Sequence, residues 1–191
     1  MKPFRWIPNS LTVVRMILTV PLVYTLWRGQ VALALSILVC AGITDLLDGF
    51  LAREFGWTTT LGAWLDPVAD KLLITSCLIA LTWTGQLPVW FCVITIARDL
   101  QLVGGVILLH ARGVEVRIRP HLSGKLATVG QNIALLLALL QQTSLRVQAA
   151  LSYSVLFSAV LTIVSAVVYV RVLLHIFRKQ SQVALRRTTS L

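Results

Sequence analysis

The sequence predicts an all-α integral membrane protein with six transmembrane helices and a short N-terminal interfacial segment. Three observations lead there. Hydrophobic residues make up 57% of the 191, charged residues only 13%, and mean hydropathy is +0.84, far from the mix of a water-soluble domain. Apolar runs long enough to cross about 30 Å of hydrocarbon fall at 11–27, 31–52, 62–82, 87–110, 125–141 and 147–176. The net charge of +10 is also distributed unevenly. With the N-terminus inside, Lys2, Arg5, Arg53, Arg112, Arg117, Arg119, Lys125, Arg178, Lys179, Arg186 and Arg187 share one side. Only Arg28 and Arg146 fall in loops on the other. That asymmetry places both ends in the cytoplasm.

The elements follow in order. In "KPFRWIPNSLT", Lys2, Phe4, Arg5 and Trp6 suit the headgroup region, Pro8 breaks the chain, and Asn9 or Ser10 caps the first span. No small-residue cleavage site follows that span, so it reads as retained and not as a signal peptide. Arg15 sits one turn inside it. The second run carries Asp45 and Asp48 near its end, and the third carries Asp66 and Asp70 near its start. "TWTGQLPVW" is a short uncharged outer turn with interfacial tryptophans. The fourth run contains the charged pair Arg98 and Asp99, and "HARGVEVRIRPHLSGK" is a basic connection on the side of the aspartates. Lys125 and Thr128 open the fifth run. After the sixth, "RKQSQVALRRTTSL" reads as a solvated, partly disordered end. The expected organisation is one membrane domain over 1–178 and a basic cytoplasmic tail over 179–191.

Composition also excludes several classes. No basic, aromatic-laced soluble surface exists for nucleic acid, so the positive balance reads as orientation and attraction to anionic lipid. Cys40, Cys77 and Cys92 lie in apolar runs without paired metal-ligand spacing, and His110, His121 and His175 are scattered. Neither zinc nor haem is expected.

The aspartates carry the chemistry. Asp45 and Asp48 are three apart and Asp66 and Asp70 four apart, so each pair shares a helix face. Four converging carboxylates cannot all stay ionised in a low-dielectric setting unless cations neutralise them. Oxygen-only ligands suit Mg²⁺ or Mn²⁺, and four carboxylates have the capacity for two ions, the usual device for displacement at phosphorus. Gly49, Ala52 and Gly62 leave space beside them, either for a flat ligand or for close helix packing. Arg53 adds a charge suited to a diphosphate.

Asp45, Asp48, Gly49, Ala52 and Arg53, then eight residues, Gly62, three residues, Asp66, three residues and Asp70 resemble the CDP-alcohol phosphatidyltransferase signature at every position. The resemblance implies integral membrane enzymes that displace CMP from a CDP-linked donor, usually CDP-diacylglycerol, by an alcohol. It implies Asp45, Asp48, Asp66 and Asp70 as ligands of a dimetal site and Asp70 also as the base for the acceptor hydroxyl. It further implies Gly49, Ala52, Arg53 and Gly62 as the cytidine-diphosphate pocket, with Asn9 and Arg15 either lining the donor pocket or fixing the first helix. A homodimer and a bacterial inner membrane, with the site on the cytoplasmic side, are the accompanying expectations.

Within the family, "IPNSLTVVR" and "LGAWLDPVADK" resemble the branch of phosphatidylglycerophosphate synthases and CMP-forming cardiolipin synthases. The former typically show an arginine where Val106 stands and a second lysine where Ala127 stands. Both departures remove cations that glycerol 3-phosphate would want, which favours phosphatidylglycerol as acceptor and cardiolipin as product. Arg98 and Asp99 are either acceptor contacts or a structural ion pair. Arg112, Arg117, Arg119, Lys125 and Thr128 are further acceptor candidates, so glycerol 3-phosphate stays as the alternative. A cation-coupled transporter is the rival class, but it predicts carboxylates spread through the depth of the membrane. Here four of the seven acidic residues fall in one window.

Overall fold

A computed structural model describes residues 7–55, 60–112, 122–141 and 145–188, with side chains at 10–45, 47, 50, 54, 55, 65–112, 122–141 and 146–177. Among them the chain is all-helical, in the order α1 (Ile7–Trp27), α2 (Val31–Glu54), α3 (Thr60–Trp83), α4 (Val89–Ala111), α5 (Leu122–Leu140) and α6 (Leu145–Thr188). Each helix falls on one of the six apolar runs.

Burial is the reverse of a water-soluble protein's. Thr12, Arg15, Thr19, Arg98, Gln131, Ser158, Thr162 and Ser165 are buried, while Ile17, Val20, Val93, Ile107, Val129, Leu156 and Val160 are exposed. Water would penalise that arrangement and hydrocarbon rewards it, since buried polar groups then find partners inside the protein. The molecule is an integral membrane protein. Among the described residues, four stretches are long and apolar enough to cross a bilayer, at Ser10–Trp27, Val89–Ala111, Leu122–Leu140 and Arg146–Phe177. In α2 the apolar stretch among the described residues is Val31–Asp45, and the last turns of the helix carry Asp48, Arg53 and Glu54. The first half of α3 likewise carries Asp66, Asp70 and Lys71.

The chain forms two compact units, 1–92 with 135–148 and 93–134 with 149–191. In the first, α1 packs on both α2 and α3, around Leu22, Leu26, Ala34, Ala41, Ala69, Leu73 and Leu81. Pro8 does not break the chain as the sequence suggested. It lies in the first turn of α1, where its missing N–H has no intrahelical partner to lose. The α1 and α3 C-termini close on glycines with φ of 68° at Gly29 and 74° at Gly85. At each, the next residue's N–H reaches back five residues, Gln30 to the Thr25 carbonyl at 2.9 Å and Gln86 to the Leu81 carbonyl at 2.8 Å. These are Schellman closures, which need the left-handed backbone that glycine adopts without a Cβ penalty.

The second unit is built on small residues. Ala127, Gly130 and Ala134 follow one stripe of α5, and Ser158, Thr162 and Ser165 one stripe of α6. A Cβ added at Gly130 would lie 2.8 Å from the Ser158 Cβ, so the two backbones approach as closely as glycine permits. Gln131 Nε2 donates to Thr162 Oγ1 at 2.9 Å, and Gln101 Nε2 donates to the Ala166 carbonyl at 2.9 Å, tying α4 to α6. α6 continues to Thr188, where the sequence suggested irregular chain. The segment "HIFRKQSQVALRRT" contains neither proline nor glycine to stop the helix.

Candidate active site

The aspartates gather in the first unit, and α1 gathers them. Thr12 and Arg15 are three apart on α1, so both point from one face, and both are buried. Arg15 Nη1 lies 2.6 Å from Asp45 Oδ1 and 2.6 Å from Asp70 Oδ1. Thr12 Oγ1 donates to Asp66 Oδ1 at 2.5 Å. One helix thereby holds carboxylates from the end of α2 and the start of α3. Arg15 is 2% exposed, whereas Asp45 and Asp70 are 44% and 48% exposed. Each carboxylate is held from beneath and open above.

That donor set fits hard divalent cations. Three carboxylates against one guanidinium leave an excess of negative charge, their half-exposed oxygens are the ligand type that Mg²⁺ and Mn²⁺ take, and no softer donor competes among them. Among the described residues, no three of His, Cys, Asp and Glu close into a metal-holding group. Arg15 is shared by Asp45 and Asp70, and Asp66 is engaged by Thr12. The side chains of Asp48, Gly49, Ala52 and Arg53 on α2, Gly62 on α3 and Asn9 on α1 lie outside the described residues, as do Arg117 and Arg119 altogether.

Arg98 and Asp99 belong to the second unit. Arg98 Nη1 pairs with Asp99 Oδ1 at 2.9 Å, and Arg98 Nη2 donates to the Gly124 carbonyl at 3.3 Å and to Ser165 Oγ at 3.2 Å. With 4% exposure, this guanidinium ties α4 to α5 and α6. Gly124 permits the approach, since a Cβ there would meet Arg98 Nη2 at 3.2 Å. Thr128 Oγ1 donates to the same Gly124 carbonyl at 3.1 Å, and Lys125 is exposed. Arg112 is exposed too, its guanidinium 4.4 Å from the centre of the Phe177 ring, a cation–π contact. Val106 borders an apolar cavity of about 160 Å³ with Gln101, Gly105, Leu109, Tyr169 and Leu173, and Ala127 is fully buried.

Sequence reasoning singled out the charged residues and missed Thr12, Gly124 and Ser165, which hold them. The available signal was spacing: Thr12 is one helical turn before Arg15, and any partner of Arg15 brings its carrier helix against Thr12.

Comparisons with known proteins identify the family. The chain is 44% identical over 99 residues to "Probable cardiolipin synthase (CMP-forming)" of Drosophila melanogaster, covering 51% of this chain and 31% of that protein. It is 37% identical over 133 residues to "Probable phosphatidylglycerophosphate synthase" of Mycobacterium tuberculosis, covering 66% and 62%. With "Cardiolipin synthase (CMP-forming)" of Homo sapiens it shares 38% identity over 107 residues, 56% of this chain and 36% of the human protein. The matches thus span between a third and three-fifths of these relatives' lengths. The profile described as CDP-alcohol phosphatidyltransferase matches residues 5–171, a stretch that contains all four aspartates, Arg15 and Arg98. The chain belongs to the CDP-alcohol phosphatidyltransferase family.

Proposed function

We propose that this protein moves the phosphatidyl group of CDP-diacylglycerol to the free hydroxyl of phosphatidylglycerol, releasing CMP and forming cardiolipin, on the cytoplasmic side of a bacterial inner membrane. The observation that carries the transferase reading is the gathering of Asp45, Asp66 and Asp70 by α1, at positions that match the family signature.

In this reading Asp45, Asp48, Asp66 and Asp70 hold two Mg²⁺ or Mn²⁺ ions. Bound there, such ions would supply charge stabilisation to oxygens that become negative during displacement at phosphorus. The protein's own groups do the rest. Asp70, half-exposed and steadied from below by Arg15, accepts the proton of the acceptor hydroxyl as that oxygen bonds to the phosphatidyl phosphorus. The phosphoanhydride bond to CMP breaks in the same displacement, and the electron pair leaves on CMP. Arg53 pairs with the diphosphate, and Gly49, Ala52 and Gly62 leave room for the cytidine. A site at the helix ends keeps acyl chains in hydrocarbon and nucleotide in water.

The choice of acceptor rests on what surrounds Arg98. Its guanidinium is committed to Asp99, Gly124 and Ser165, and about two turns further along α4 Val106 stands in place of a cation. Neither feature suits a free phosphomonoester. A second reading, transfer to glycerol 3-phosphate, draws on the exposed Arg112 and on the broader coverage of the mycobacterial relative.

Purified protein given CDP-diacylglycerol and Mg²⁺ or Mn²⁺, with phosphatidylglycerol in one reaction and glycerol 3-phosphate in another, separates the two. Cardiolipin from the first alone is the expected result. Phosphatidylglycerophosphate from the second would transfer the assignment to the other reading, and no CMP from either would remove both.

A further inference from the structure

The most unusual feature of the site is the position of Arg15. An arginine buried inside a membrane helix bundle is costly unless it is paired, and this one is paired twice through a single nitrogen, to an oxygen of Asp45 and an oxygen of Asp70. A guanidinium that only pinned α1 in place would need one carboxylate. Sharing one Nη1 between acids from two different helices puts a positive charge where two negative groups would otherwise repel each other.

We propose that Arg15 is a resident counter-ion of the aspartate set: it holds Asp45 and Asp70 together when no divalent cation is bound, competes with the cation for their oxygens, and so sets how tightly the site takes it. The proposal rests on the reading of these aspartates as cation ligands. Three observations converge on it. The two carboxylates are open to solvent by nearly half, so a cation has access from the side opposite the guanidinium. Arg15 is buried, so it cannot be screened away by water. Thr12, a turn earlier, engages Asp66 through a neutral hydroxyl, so α1 meets that acid with a neutral donor and Asp45 and Asp70 with a charged one. Arg15 is then a positioning residue that acts through the acids.

Competition has a thermodynamic signature. Where two cations share the same oxygens, each weakens the other by the same factor, and removal of one positive charge a few ångströms from the site strengthens binding of the other. A residue that merely anchors α1 gives no such linkage.

The test uses the purified full chain in detergent after chelator treatment, with Mn²⁺ as the probe. Free Mn²⁺ is counted by its paramagnetic resonance signal, and thermal unfolding is followed with and without saturating Mn²⁺. Arg15→Gln is expected to bind Mn²⁺ at least about tenfold more tightly than the parent. Its stripped form should melt well below the stripped parent, and Mn²⁺ should recover most of that loss. Arg15→Lys, which keeps the charge but reaches fewer oxygens, should fall between the two. Equal losses of melting temperature in the stripped and loaded forms, with unchanged Mn²⁺ affinity, would overturn the proposal and leave Arg15 as an anchor of α1. Should Arg15→Gln fail to fold, the Lys variant decides alone: tighter binding than the parent supports the proposal and equal affinity overturns it. A parent that binds no Mn²⁺ removes the cation-ligand reading as well, so the two failures are distinguishable.

Discussion

Gly130→Ala tests the packing of α5 on α6 with a single carbon. The new Cβ would sit 2.8 Å from the Ser158 Cβ and 3.4 Å from its Cα, whereas carbon pairs rest at about 3.5–4.0 Å. The nearer obstacle is bonded directly to backbone, so no rotamer change relieves it, and the helices must part by about 1 Å. Overpacking of this kind costs about 1–3 kcal/mol, and alanine returns up to about 1 kcal/mol of helix propensity. A net loss of about 1 kcal/mol is expected. Parting the helices also stretches the Gln131 to Thr162 bond one residue away. SDS-titration unfolding in mixed micelles measures the loss, and Ser158→Gly supplies the control, because it removes the obstructing carbon. The double variant should be more stable than the two single losses sum to, by about 1 kcal/mol or more. Strict additivity, or a Gly130→Ala protein stabilised by its full helix propensity, would refute the close approach.

Asp70→Asn should lower CMP release by about 10²- to 10⁴-fold, the usual worth of a general base. The protein should stay folded, because Arg15 keeps Asp45; size-exclusion and melting profiles check the fold, and radiolabelled donor checks the rate. Arg98→Met removes the positive charge beside Asp99 and the bonds that reach Gly124 and Ser165, and a loss of about 3–5 kcal/mol is expected in the same SDS titration. If instead stability holds and only the acceptor KM rises, Arg98 touches substrate. Val106→Arg restores a cation on α4 and should raise kcat/KM for glycerol 3-phosphate relative to phosphatidylglycerol by about tenfold, the worth of one charge-assisted hydrogen bond; an unchanged ratio would show that residue 106 does not face the acceptor. Chelation should abolish transfer, and Mg²⁺ or Mn²⁺ should restore it.

The helical plan was legible because hydrocarbon imposes a simple rule: each crossing needs one long apolar run. The six runs match the six helices within a few residues, except at the ends. Polar ends obey capping and interfacial chemistry, which is why Pro8 and the continuation of α6 to Thr188 were read differently. The meeting of Asp45, Asp66 and Asp70 was legible too, since acids paired at helical spacing in an apolar chain point to one place. Their supports were not. Thr12, Gly124 and Ser165 are ordinary residues in membrane helices, and only three-dimensional proximity distinguishes the hydroxyl that holds Asp66 from others that bond their own helix, such as Thr19 to the Arg15 carbonyl. For Arg98 the sequence left two roles open, and the structure adds three bonds, to α4, α5 and α6.

The partners of Arg15 are synthesised after it. Asp70 follows 55 residues later, so α1 leaves the ribosome with its arginine ahead of either acid. Until α2 and α3 join it, that charge must be met by water, by lipid headgroups or by the insertion machinery. A lone α1 is therefore a poor resident of the membrane, and its final depth is decided only when the third helix arrives. Assembly of the first unit and assembly of the acidic site are in this sense one event, and a chain truncated before Asp70 lacks one of the two acids that Arg15 Nη1 meets.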